Sequence, residues 1–243
     1  ESAWNLEYGA SGYTQGTGTS IALTATNYSI AGLLSNTTYD VYVQADCGGD
    51  QSSWSGPHSF TTACELITTF PYIERFTSWP PICWDLTGGT QTCIHYNNSA
   101  VEANFWSWSN GQNAIMTSPL FDVSSLSSAE LLFDWSHTYN TTYPDDALEV
   151  LVSDDGGTTW NQIWYKAGVD LESNDGATSN DPGSFVSSGV INLSSLSSNI
   201  LVRFNFISGY GPDCFIDNVE IREAPTCPAP TGIVSSNILS NGA

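Results

Sequence analysis

The sequence predicts an all-β protein, a small partial sandwich followed by a larger jelly-roll sandwich. Apolar residues recur with period two in run after run, and no helix-period stretch exceeds two turns. Clusters of Gly, Pro, Asn, Asp and Ser (SNTT, CGGD, DDGG, NDPG, SGYGP) separate these runs at short intervals. Many short strands with such punctuation define a sandwich or jelly roll.

The elements follow in order. Tyr39, Val41, Val43 and Ala45 alternate with Asp40, Tyr42 and Gln44. Leu148, Val150 and Val152 alternate with Glu149 and Ser153, and Val202, Phe204 and Phe206 with Arg203 and Asn205. Phe215, Asp217, Val219 and Ile221 are read as one face of the last strand. Composition divides the chain into residues 1–63, residues 64–223, which hold most tryptophans and acids, and residues 224–243, which open with the proline-rich Ala224–Pro230.

The 243 residues carry 4 Lys+Arg against 25 Asp+Glu, a formal charge of −21. A nucleic-acid binder needs clustered cations, so that class is excluded. A polybasic lipid-binding segment is absent, and no run of 18 apolar residues exists to insert in a membrane. Aromatic residues make up 12%, which argues against disorder. Six cysteines and Asn-x-Ser/Thr sequons point to an extracellular or cell-surface setting. The first residues contain no signal peptide, so the reading is of an internal piece of a longer secreted chain.

Gly32–Val43, with L-x-x-x-T-x-Y before an alternating strand, resembles a fibronectin type III module, in which Tyr39 would lock the strand onto the preceding turn. Ser53–Pro57 and Phe60–Thr62 are similar to its final hairpin, and Trp4–Tyr8 to its third strand, so the resemblance implies that the first two strands are missing. Pro225–Ile233 resembles the opening strand of another copy. The chain then reads as a window on an array of alternating modules, a repeat. The central block resembles the MAM-like and cleaved-adhesin jelly rolls of secreted Bacteroidetes proteins through five segments. These are Pro71–Phe76, Thr117–Asp122, Asp146–Ser153, Val202–Phe204 and Ile216–Ile221. That resemblance implies non-catalytic adhesion, with glycan or protein ligands and structural calcium.

Two carboxylates sit among apolar neighbours by period: Glu74 between Tyr72 and Phe76, and Asp217 between Phe215 and Val219. An inward carboxylate needs a partner, and four cations serve the whole chain, so Ca²⁺ with oxygen ligands is expected. The resembled jelly roll puts its first and last strands together, which implies Glu74 and Asp217 as ligands with Asp145, Asp146 and Asn218 beside them. The alternative is that Glu74 meets Arg75 or Arg203 and Asp217 caps backbone amides.

Enzymatic motifs do not hold. Ser153–Trp160 fits S-x-D-x-G-x-T-W, which reads as a hairpin with Trp packing back, and it occurs once. His58, His95 and His137 are isolated, and no nucleophile elbow or Walker loop exists. No catalytic residue is expected. Glycan contact is the more credible chemistry, and Trp106, Trp108, Tyr139 and Tyr143 are its candidates; read as an alternating strand, Phe105–Trp108 gives Trp106 and Trp108 one face. Of Cys64, Cys83, Cys93 and Cys214, three pairings are open, and Cys83–Cys93 with Cys64–Cys214 is the expected one. Cys47 and Cys227 would each pair outside the chain.

The functional expectation is an extracellular adhesion or spacer module, stiffened by calcium and disulfides. Its partners would be neighbouring modules, a glycan or another surface protein. A carbohydrate-binding appendage of a secreted hydrolase or peptidase is the alternative, and a filament subunit a second one.

Overall fold

The computed structural model describes residues 3–173, 178, 180–196 and 199–226. The expected further strand after residue 226, including Cys227, lies outside them. Every regular element of more than four residues is a strand.

Four strands form the first unit: β1 (Ala3–Ala10), β2 (Thr19–Leu23), β3 (Thr38–Asp46) and β4 (Ser55–Thr61). They make one antiparallel sheet in the order β2-β1-β3-β4. Tyr39 is the second residue of β3, and its hydroxyl accepts the Leu34 N–H at 3.0 Å, which fixes the entry to the strand.

Twelve strands follow. They are β5 (Tyr72–Glu74), β6 (Ile94–Tyr96), β7 (Ala100–Ala103), β8 (Asn113–Thr117), β9 (Phe121–Asp122) and β10 (Ala129–His137). Then come β11 (Ala147–Ser153), β12 (Asn161–Ala167), β13 (Val186–Ser187), β14 (Ile191–Asn192), β15 (Asn199–Ile207) and β16 (Cys214–Glu223). One sheet runs β13-β10-β16-β7-β6 with β14 on β10 and β5 on β16, and the other runs β12-β11-β15-β8 with β9 on β15. The fold is an all-β sandwich.

The core lies between these two sheets, where period-two alternation does what the sequence implied. Val202, Phe204 and Phe206 of β15 are fully buried while Leu201, Arg203 and Asn205 are not. They meet Leu131 and Phe133 of β10, Leu148 and Val150 of β11 and Met116 of β8 in one apolar cluster. Each such side chain contributes about 1.5–3 kcal/mol by leaving water. Ser153–Trp160 is the hairpin joining β11 to β12. Asp155 accepts the N–H groups of Thr158 and Thr159 and the Ser153 hydroxyl, and the Trp160 indole donates to Gly157 O. Those donors hold the Asp155 carboxyl down at about 2, the Thr159 N–H first. Arg203 then stacks 3.7 Å over the Trp160 ring.

Two sequence expectations fail here. Cys64 pairs with Cys83, at a Cα separation of 5.8 Å, and neither expected disulfide forms. Cys93 and Cys214 are buried free thiols. Cys214 pairs with Ala103, and continuing the Ile94–Glu102 register puts Cys93 on the other side of Ala103. Two strand spacings of about 4.8 Å put them roughly 10 Å apart, beyond the ~7 Å a disulfide spans. Spacing along the chain cannot reveal that β7 runs between them.

The second failure is the face of β16. Its register against β10 slips between Leu132 and Asp134, at Asn218, whose φ is +50°. Beyond that bulge Val219 and Ile221 enter the core; before it Cys214 and Ile216 do. Asp217 therefore lies opposite Asp134, on the outer face, and shares no face with Val219.

Candidate functional site

Three loops meet at one pole of the sandwich. They connect β7 to β8, β10 to β11 and β15 to β16. Register puts their ends together, because Cys214 pairs with both Ala103 and His137, and Ile207 with both Asn113 and Ala147. Each loop crosses from one sheet to the other, and each presents one aromatic ring.

Trp106 comes from the first loop. Phe105–Ser107 is a 3-10 turn, with the Asn104 side chain accepting the Ser107 N–H at 3.1 Å. At three residues per turn Phe105 and Trp108 fall on one side. They pack together in the core with ring centroids 5.6 Å apart, and Trp106 is turned out, 50% exposed. The expected shared face of Trp106 and Trp108 is thus wrong, since it assumed a strand, and Trp108 at 6% exposure is a core residue.

Tyr143 and Tyr210 complete a cluster with Trp106. Trp106 and Tyr210 stack at 17° with centroids 6.0 Å apart, and Tyr143 stands edge-on to both, 6.1 and 5.2 Å away. Tyr210 is 41% exposed. Tyr139 is half-buried and outside this ring cluster; its N–H donates to the Glu172 carboxylate. Tyr210 was not among the candidates, although a tyrosine between two glycines in SGYGP marks an aromatic held out on a tight turn.

Buried carboxylates hold the rings in place. Asp146 Oδ1 accepts the N–H groups of Gly209 at 2.7 Å and Gly211 at 3.2 Å, pinning the turn on both sides of Tyr210. Tyr210 itself has φ +71°, and its N–H donates to Ser208 Oγ. A Cβ on Gly209 would fall within 3 Å of Asp145 backbone atoms, and one on Gly211 would collide with the Asp146 carboxylate. Asp213 Oδ1 accepts the Trp106 N–H at 3.1 Å. Burial pushes the Asp213 carboxyl up to about 6, with the Asp146 charge adding and the Trp106 N–H opposing. Glu102 goes up to about 7, again by burial first and then by Asp213.

His137 Nε2 lies 3.3 Å from Asp146 Oδ2, and both residues are buried. A general base must reach its substrate, and these two side chains are only 1% and 2% exposed. Its role is to orient Asp146 under the loop turn.

The expected calcium ligands divide between two places. Asp145 and Asp146 belong to this pole, where the buried Asp146 is occupied by amide donors. Glu74, Asp217 and Asn218 lie on β5 and β16, where Glu74 pairs with Val219. Glu74 Oε1 accepts the Phe76 N–H at 2.7 Å, and Asp217 Oδ1 the Asn218 N–H at 2.7 Å. Asn218 Nδ2 donates to Asp134 Oδ2, bringing a third carboxylate into the group. Burial first, then the Asp134 and Glu74 charges, push Asp217 up to about 6 against the Asn218 N–H and Arg75. Oxygen donors of this kind suit a hard cation. Among the described residues, however, no three His, Cys, Asp or Glu side chains converge as a ready metal cage.

The architecture is that of a two-sheet β-sandwich module with an aromatic platform on its loops. No family model and no curated protein matches the chain. Solved structures with a similar β-sandwich fold include the K1 cleaved adhesin domain of Lys-gingipain from Porphyromonas gingivalis W83. It is 16% identical, with 65% of this chain and 100% of that one covered and a TM-score of 0.45. The CBM22-1 xylan-binding domain of Xyn10C from Paenibacillus barcinonensis is 9% identical, covering 67% and 100%, TM-score 0.38. A carbohydrate-binding module specific for non-crystalline cellulose, CBM28, is 15% identical, covering 64% and 94%, TM-score 0.41.

Proposed function

We propose that this chain is a non-catalytic extracellular module that holds a glycan on the Trp106–Tyr143–Tyr210 platform. The observation that carries the reading is that two exposed, nearly parallel rings are fixed on turns by buried carboxylates. Exposed rings cost hydration unless something covers them, and flat aromatic faces suit the C–H faces of sugar rings. A rigid platform also loses little entropy on binding. The surroundings are acidic, so neutral sugars fit better than polyanionic ones.

An adhesion module of a larger surface protein and a binding appendage of a secreted hydrolase or peptidase both use such a site. Calcium near Glu74, Asp134 and Asp217 is a separate proposal, supported by the mutual repulsion of those carboxylates. The glycan reading is tested on an array of neutral polysaccharides with the full chain and its Trp106→Ala and Tyr210→Ala variants. Either substitution is expected to weaken binding at least tenfold. Binding that survives both, or no binding by the unaltered chain, overturns it.

A further inference from the structure

Asp145 stands at the aromatic platform without a partner of its own. Two residues before it, Tyr143 presents its ring to Trp106 and Tyr210. Its backbone also packs on Gly209, so closely that a Cβ there would fall 2.5 Å from the Asp145 carbonyl carbon and 2.8 Å from its Cα. Gly209 leads directly into Tyr210. Asp145 is thus tied to two of the three rings. The next residue, Asp146, is buried and occupied by the Gly209 and Gly211 N–H groups. The Asp145 side chain is exposed, and among the described residues it forms no hydrogen bond or ion pair.

No cation of the chain compensates it. Arg222 bridges Glu130 and Glu220, and Arg203 stacks on Trp160. Lys166 lies over Trp135 and Trp164, and the charge of Arg75 acts on Asp217. What remains is a free carboxylate beside exposed aromatic faces.

Those two features select a ligand chemistry. Aromatic faces attract cations through the ring quadrupole, Trp most strongly, and a carboxylate holds an ammonium by charge-assisted hydrogen bonds. Trp106 and Tyr210 are inclined by only 17°, which suits a flat C–H face rather than a thin alkyl stem. A sugar ring carrying an amine meets both demands. A hydroxyl or an acetamide in the same position offers the carboxylate no charge. A lysine side chain offers the charge but no ring face.

Resting on the glycan reading of the platform, we infer that Asp145 is its specificity-determining residue and that the preferred ligand is a sugar bearing a protonated amine. The ammonium meets the Asp145 carboxylate while the sugar face covers Trp106 and Tyr210. The test measures binding by the full chain at about pH 5.5, where carboxylates and amines are both charged. The probes are β-1,4-linked trimers of glucosamine, N-acetylglucosamine and glucose, which differ at one ring position. The glucosamine trimer is expected to bind at least tenfold more tightly than either neutral one. Asp145→Asn should remove that preference and leave the neutral trimers unchanged. Asp50→Asn, which deletes an equal charge from the exposed loop between β3 and β4, should change nothing. Equal binding of all three trimers, lost in Trp106→Ala, overturns the inference and leaves the platform reading standing. A preference that persists in Asp145→Asn, or falls as far in Asp50→Asn, also overturns it. So does equal or tighter binding of a trilysine peptide, which assigns the site to a basic protein segment. Binding of no trimer overturns the inference together with the platform reading.

Discussion

The Asp213 carboxylate accepts the backbone N–H of Trp106 at 3.1 Å, joining residues 107 apart in sequence. That bond ties the loop after β7 to the loop before β16, and with it one ring of the platform to the strand beside another. The carboxylate acts as a structural acceptor, and its charge is a cost, since Asp146 and Glu102 lie near it.

Removing the acceptor and removing the charge should therefore have opposite effects. Asp213→Ala leaves the Trp106 N–H without a partner and should lower stability by about 1–3 kcal/mol. Asp213→Asn keeps a carbonyl acceptor without the charge and should melt at or above the unaltered protein at pH 7. Thermal melts of the two variants decide it; equal losses in both would show that the charge is needed.

Gly209→Ala should destabilise by about 1–3 kcal/mol, because the new methyl meets Asp145 backbone that cannot swing away. Gly12→Ala, where a Cβ meets nothing within 4 Å, is the comparison. Gly12 has φ +82°, so that variant has only backbone strain to bear. Urea unfolding of both variants separates packing from strain, and an equal loss would remove the argument from Asp145.

Stability should fall as pH rises from about 5 to 7.5. Asp213 and Asp217 hold protons up to about 6 and Glu102 up to about 7, whereas in the unfolded chain they titrate near ~4. Across that window the folded chain binds more protons than the unfolded one, so the slope of stability with pH is negative. Asp155 works the other way, losing its contribution as pH falls towards about 2. Melting temperatures at pH 5 and 7.5 test this, and Asp213→Asn with Glu102→Gln should flatten the difference. A higher melting temperature at pH 7.5 would contradict it.

Thiol chemistry should separate the cysteines. Cys93 and Cys214 are buried and burial pushes both thiols up, so neither should react until the protein unfolds. Cys47 is exposed and should react at once. Loss of the Cys64–Cys83 bridge in a Cys64→Ser, Cys83→Ser variant should cost about 3 kcal/mol. Labelling of Cys93 in the native protein would refute the core placement.

Millimolar Ca²⁺ should raise the melting temperature relative to chelator by several degrees, and Asp217→Asn should abolish the rise. An unchanged melt sets the calcium proposal aside.

Much of the sandwich was legible in the sequence because a buried face repeats every second residue, as Val202, Phe204 and Phe206 do. The same rule misled wherever the backbone left the strand geometry. A bulge at Asn218 turned Asp217 outward, and a 3-10 turn sent Trp106 and Trp108 to opposite sides. Contacts between distant loops, such as Tyr210 with Trp106, depend on strand order, which no local pattern encodes. The expected pairs Cys83–Cys93 and Cys64–Cys214 failed for the same reason, since the fold brings Cys64 to Cys83 instead.

The pairing of Tyr72 with Ile221 has a mechanical consequence. The chain enters the sandwich at β5 and leaves it at β16, two antiparallel neighbours whose outer ends lie at the same place. Tension along the polypeptide would load their hydrogen bonds one after another from that end, as in opening a zip. The Cys64–Cys83 link returns the entering segment to the body of the fold near Trp84, so a pull arriving from the first sheet reaches a covalent anchor before it reaches β5.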